Sequence, residues 1–149
     1  MSLSTDIMTA LKEAMKSKNT VALTALRAVK SAILLAQTES GAKEELTEEQ
    51  ELKILQKQVK QRKDSAAIFL EQGREDLAAP ELAEAEVISQ FLPEAMSEDE
   101  VAKVVEDVIA KTGAEGMKDM GKVMGMVSGQ LAGKADGKTI STIVKDKLS

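Results

Sequence analysis

The chain has 149 residues, 43% of them hydrophobic, and a formal net charge of −5. It contains no histidine, cysteine, tryptophan or tyrosine. Zinc sites, thiol nucleophiles and histidine-based triads are therefore excluded. Carboxylates, lysines and hydroxyls remain, an inventory that can serve Mg-dependent or Ser-Lys chemistry, but no spacing in the sequence arranges it for either.

At this length the chain can bury about two-thirds of its unfolded surface. Phe69 and Phe91 are the only aromatics, so the core is built from aliphatic residues and methionine. No apolar run approaches the ~20 residues that span a bilayer. The start is amphipathic and carries an early acid, Asp6, which does not fit a secretory signal. Absence of cysteine fits a reducing compartment, and the sequence reads as cytoplasmic, with no membrane partner. Charge is unevenly spread. From Met117 to Ser149 six lysines face three aspartates, leaving −8 on residues 1–116. The overall acidity argues against broad nucleic-acid affinity, while the C-terminal third is the side suited to a phosphate-bearing partner.

A first helix is predicted over about Asp6 to Lys16, with Thr5 as N-cap and Ile7, Leu11, Ala14 and Met15 on its apolar face. Asn19 can cap a second helix, in which Ala22, Ala25, Leu26, Val29, Ala32, Ile33 and Ala36 follow the 3.6-residue period. Residues 40–43, SGAK, read as a linker. Thr47 and Gln50 form a capping box that opens the longest helix, reaching about Gln72. Leu52, Leu55, Val59, Ala66 and Phe69 point one way along it. Lys53, Lys57 and Lys60 form a stripe elsewhere, joined by Arg62 and Lys63. Gly73 fits a left-handed C-terminal cap.

A fourth helix follows to about Gln90, contributing Ala83, Val87, Ile88 and Phe91. Pro80 sits near enough to its beginning to be tolerated. Pro93 ends it. Ser97 and Glu100 make a second capping box, opening a helix with Val101, Val104, Val105, Val108 and Ile109. The valines favour strand, but their spacing is helical, and Thr112–Gly113 closes the segment. A glycine-rich helix runs from about Lys118 to Leu131. Asp136 can cap a last helix carrying Ile140, Ile143, Val144 and Leu148. No apolar/polar alternation with hairpin dipeptides occurs. The architecture is therefore all-α, with a four-helix lobe over 1–93 and a three-helix lobe over 94–149.

The glycine-rich segment, MKDMGKVMGMVSGQLAG, is the most unusual feature. Gly121, Gly125, Gly129 and Gly133 recur every four residues, beside Met117, Met120 and Met124 and the pair Lys118 and Lys122. Each interior glycine costs a helix about 1 kcal/mol relative to alanine. The compensating gain is close backbone approach, either to a neighbouring helix such as 101–109 or to a ligand. Residues 133–139, GKADGKT, fall one residue short of a phosphate loop and follow a helix where that loop follows a strand. Lys134 and Lys138 near the helix start could hold one phosphate. Asp136 as cap would occupy the same donors and repel an anion, and turn plus cap is the favoured reading. SGAK also matches S-x-x-K, without the companion motifs of acyl-enzymes. The run KQVKQRKDS, 57–65, suits either a solvated face or a nucleic-acid backbone, with the solvated face favoured. It has no aromatics for base stacking. No EF-hand or other metal spacing is present.

Several stretches resemble the YqeY family: LQKQVKQRKDS (55–65) and MKDMGKVMG…GKADGK (117–138) above all, and LRAVKSAI (26–33), GREDLA (73–78) and FLPEAMSEDE (91–100) in the same order. The resemblance covers essentially the whole chain. That family is similar to the C-terminal helical and tail region of the B subunit of the glutamine-dependent tRNA amidotransferase, a mobile appendage that helps hold tRNA and is not the catalytic centre. The resemblance implies a two-lobe helical protein whose partner is tRNA or a tRNA-amidation assembly. It maps Lys118, Gly121, Lys122, Gly125, Lys134, Gly137 and Lys138 onto positions that would meet RNA. It implies no catalytic, cofactor or metal residues in this chain. The cradle domain that would hold ATP and Mg is missing, so a carbon-nitrogen ligase label with glutamine as amide donor is not expected to describe this chain alone. A protein-interaction adaptor without RNA contact is the alternative.

Overall fold

The computed structural model describes residues 3–39 and 46–149. The described residues are all-α, with no strand. The helices are α1 (Leu3–Ser17), α2 (Thr20–Glu39), α3 (Glu48–Glu71), α4 (Glu75–Ser89), α5 (Glu98–Thr112), α6 (Met120–Gln130) and α7 (Gly137–Leu148). A 3-10 turn at Met117–Asp119 leads into α6. The chain divides into two compact units, Met1–Leu92 and Pro93–Ser149. The SGAK linker lies outside the described residues.

In the first unit, α1 to α4 bury Ile7, Leu11, Leu26, Val29, Ile33, Leu55, Val59 and Ile88 in one apolar core. α1 starts earlier than its predicted cap: Thr5 lies inside the helix, and Leu3 already packs on the core. Asn19 does cap α2, its side-chain oxygen accepting from the Ala22 N–H at 3.1 Å. By length and composition alone α2 is apolar enough to cross a membrane, with a mean hydropathy of 1.3. This departs from the sequence expectation, because Arg27 and Lys30 break the apolar run without lowering its average below that level. Its apolar side, from Ala22 to Ile33, is taken up by the unit's own core.

Thr47 and Gln50 close a complete capping box at the start of α3. At its other end Gly73 adopts φ +72°. Its N–H donates to the Leu70 carbonyl, and the Arg74 N–H donates to the Phe69 carbonyl. These two bonds are the Schellman pattern, which needs a residue tolerant of positive φ at this point. The chain then reverses into α4, which begins at Glu75 and carries Pro80 inside it. Pro80 has no N–H to donate to the Asp76 carbonyl, so α4 forgoes one helical bond there.

Arg62 departs from the predicted lysine stripe. It lies on the apolar phase of α3 with Leu55, Val59 and Ala66, and its side chain is 13% exposed. One guanidinium nitrogen donates to the Gln58 side-chain oxygen at 2.7 Å. Nε stands 3.7 Å from a Glu84 carboxylate oxygen on α4 and has no hydrogen-bond partner. Burial pushes the Glu84 carboxyl above its usual range, against the pull of Arg62. Removing either member thus has opposite consequences. Arg62→Ala is expected to cost about 1–3 kcal/mol by leaving a carboxylate without its counter-ion, whereas Glu84→Gln is expected to cost little or to stabilise at neutral pH. The raised folded-state pKa also fixes the sign with pH. Its contribution is fully present below the unfolded-state value and is lost as pH rises through the folded one. Urea unfolding of both variants between pH 4 and 8 checks this, since Glu84→Gln should flatten that part of the profile.

In the second unit, Val101, Val105, Val108, Val123, Val127, Ile140 and Val144 form a separate core that is almost wholly valine and isoleucine. α5 opens on Ser97, whose hydroxyl accepts from the Glu100 N–H at 3.2 Å. It closes on Gly113 at φ +68°. Lys147 of α7 reaches Glu106 of α5 at 2.6 Å, an exposed pair that holds the chain's last turn in place.

Candidate nucleic-acid interface

The apolar period of α6 is short and strict. Val123 and Val127 are fully buried, Leu131 beyond the helix is 3% exposed, and Met120 and Met124 pack beside them. At about 100° per residue these positions define one side of the cylinder, and Lys118, Lys122, Gly125 and Gly129 fall on the opposite side. Gly121, Gly125 and Gly129 are all exposed. A Cβ built on Gly121 or Gly125 meets nothing within 4 Å. The valine helix α5 therefore touches α6 through its valines, and the glycines do not serve close packing with any neighbour in this unit. Of the two explanations that the sequence leaves open, close approach to a helix of the same chain is removed.

Gly133 is different from the other three. It is buried and takes φ +80° in the turn after α6. Its reason is conformational, since an L side chain is strained in that region. The four-residue recurrence thus combines two causes: an open face on α6 and a turn beyond it.

Lys118 and Lys122 are exposed, and among the described residues neither takes part in an ion pair. Lys134 and Lys138 are likewise exposed and outside those pairs. They belong to the far end of α6, beyond a helix about 16 Å long, so the seven sequence-predicted residues form two groups. Lys118, Gly121, Lys122 and Gly125 share one continuous face. Lys134, Gly137 and Lys138 flank the start of α7. There the Asp136 carboxylate accepts from the Thr139 N–H at 2.7 Å, so the helix start is already capped by an anion. The Lys134 carbonyl accepts from the Met96 N–H at 2.9 Å, which fixes the loop backbone while its side chain stays outside. Acids in this unit gather on α5, with Glu98, Asp99 and Glu100 in its first turn, and the α6 face carries none.

The match to known families follows this geometry. A family model described as "Yqey-like protein" matches residues 4–148. The chain belongs to the YqeY family. It is also 41% identical over 92 residues to "Altered inheritance of mitochondria protein 41, mitochondrial" of Clavispora lusitaniae (strain ATCC 42720). That match covers 60% of this chain and 52% of the relative, so the chain spans about half the length of the curated relative it matches.

In this YqeY-family chain the α6 face offers backbone, small Cα–H surface and two free ammonium groups. Among the described residues no three acidic side chains converge to hold a metal ion. An open cleft of about 280 Å³ lies in the first unit, bordered by Glu13, Ala22, Leu26 and Phe91 among others. It shares no residue with the α6 face. Gly125→Ala is expected to raise the stability of the second unit by about 0.4–1 kcal/mol, because the added methyl meets only solvent and removes unfolded-state freedom. Thermal or urea unfolding of the purified variant measures it. A loss of stability would mean that the face is covered in solution. Arg62 is the position that helical phase alone could have assigned differently: the series 55, 59, 62, 66, 69 advances by four and three, the rhythm of the buried side.

Proposed function

We propose that this chain is a non-catalytic tRNA-binding module that works with a tRNA-amidation assembly. The supporting observation is the open glycine face of α6, turned away from the core and edged by Lys118 and Lys122. A helix that keeps exposed glycines gives up stability at each, and a phosphodiester backbone is a partner for which that sacrifice is useful. Lysines neutralise phosphates, and a face without side chains lets a sugar-phosphate strand come close to the helix backbone. The resemblance to the amidotransferase B-subunit tail points the same way. Lys134 and Lys138 extend the contact past the end of α6 through their side chains, while the capped start of α7 contributes no anion pocket.

Fluorescence anisotropy with unfractionated tRNA tests the reading. Binding is expected at low salt, with log Kd rising linearly with log salt concentration. Absence of binding tighter than about 100 µM at low salt would remove direct RNA recognition, since ordinary non-specific affinity is already stronger than that.

One observation favours a second reading, a protein adaptor. Met117 and Met126 are 44% and 39% exposed beside the glycines, and methionine edges suit an incoming apolar helix. Capture of a partner that is indifferent to nuclease, together with no tRNA affinity, would favour this alternative.

A further inference from the structure

A second set of cations lies outside the α6 face. On α3, Lys53, Lys57, Lys60 and Lys63 are exposed. Helical phase puts Lys53, Lys57 and Lys60 on the side opposite Leu55, Val59 and Ala66, with Lys63 at its edge. No acid occurs between positions 53 and 63. Lys53 pairs with Glu49 at 2.8 Å and Lys60 with Asp64 at 3.3 Å, both exposed i,i+4 pairs of small energetic value. Lys57 and Lys63 take part in no ion pair among the described residues. Arg62, alone among the cations of this run, is drawn inward by Gln58 and Glu84.

Two features limit what such a face can meet. The apolar side of α3 is buried in the first unit's core, so the helix cannot lay an apolar face into a lipid surface. The face carries no aromatic side chain, which removes base stacking. What remains is a cationic row about 15 Å long, on a helix whose two ends are fixed by the capping box and the Schellman turn. Its charge complements a polyanionic backbone, with no group to read sequence. We infer that the α3 lysine face is a second, sequence-independent contact for RNA phosphates. The inference rests on the tRNA-binding reading of α6. An acidic protein segment is the competing occupant.

The test uses the full chain, with tRNA as probe and polyglutamate as competing ligand. Lys57→Gln with Lys63→Gln is compared with Lys57→Arg with Lys63→Arg and with wild type. The glutamine pair is expected to weaken tRNA binding and to reduce the salt slope by about 2, roughly one per lysine. The arginine pair is expected to restore both, and thermal unfolding should be unchanged in all. Wild-type tRNA binding with an unaltered slope in the glutamine pair overturns the α3 contact and leaves the α6 reading standing. Absence of tRNA binding by wild type overturns both. Loss of polyglutamate binding with tRNA binding retained assigns the face to an acidic protein and overturns the inference.

Discussion

Reversing Lys118 and Lys122 together to glutamate is expected to reduce tRNA affinity by at least about 100-fold without unfolding the second unit. Non-specific affinities of about 10⁻⁴–10⁻⁶ M spread over about 6–10 phosphate contacts come to roughly 1 kcal/mol each. Reversal removes a contact and adds a repulsion of similar size at each position, about 4 kcal/mol for the pair. The fold should be indifferent, because both side chains are exposed and neither is engaged in an ion pair among the described residues. Val123 and Val127, which anchor α6, lie on the other side of the helix. Anisotropy with tRNA gives the affinity, and circular dichroism melting gives the control. An affinity within threefold of wild type would show that the lysines are bystanders.

The largest stability effect is expected at Leu55. Leu55→Ala should destabilise the first unit by about 2–5 kcal/mol. The side chain is fully buried at the centre of α3, in one core with residues of α1, α2 and α4. Nothing around it can collapse cheaply into the space left, since its neighbours are β-branched or alanine held on helices. The second unit has its own core, in which Val101, Val105, Val123, Val127 and Val144 take no atoms from Leu55. Amide exchange should therefore accelerate through α1–α4 while the α5–α7 amides keep their protection. Equal acceleration in both units would mean that they unfold as one.

Helix order, the Thr47–Gln50 box, the Gly73 and Gly113 stops and the valine helix were all readable from the sequence, because each depends on local chemistry: a hydroxyl three residues before a glutamine, a glycine where φ must be positive, a 3,1,3,1 spacing of branched residues. The extra turn at the start of α1 was not readable, since it depends on Leu3 finding the core of the unit. Arg62 was misplaced because a charged residue in a run of lysines looks solvated until its helical phase is set against Glu84 across the hairpin. The site was legible as a set of residue types and not as a surface. Periodicity in 121, 125, 129 and 133 announces a face, but only the fold separates three open positions from Gly133, which is held in a left-handed turn. Similarly, sequence can weigh Lys134, Gly137 and Lys138 as a phosphate pocket, yet the bond from Asp136 to the Thr139 N–H decides that the helix start is taken.

The most direct measurement is a ¹⁵N-correlation NMR titration of the full chain with tRNA. The chain has nine glycines, whose amides fall in a distinct spectral region. The account expects the largest shifts or broadening at Gly121, Gly125 and Gly129 with Lys118 and Lys122, and undisturbed signals from the buried Val123 and Val127 side. Saturating tRNA that leaves the α6 glycines unmoved, or perturbs only other surfaces, would contradict it.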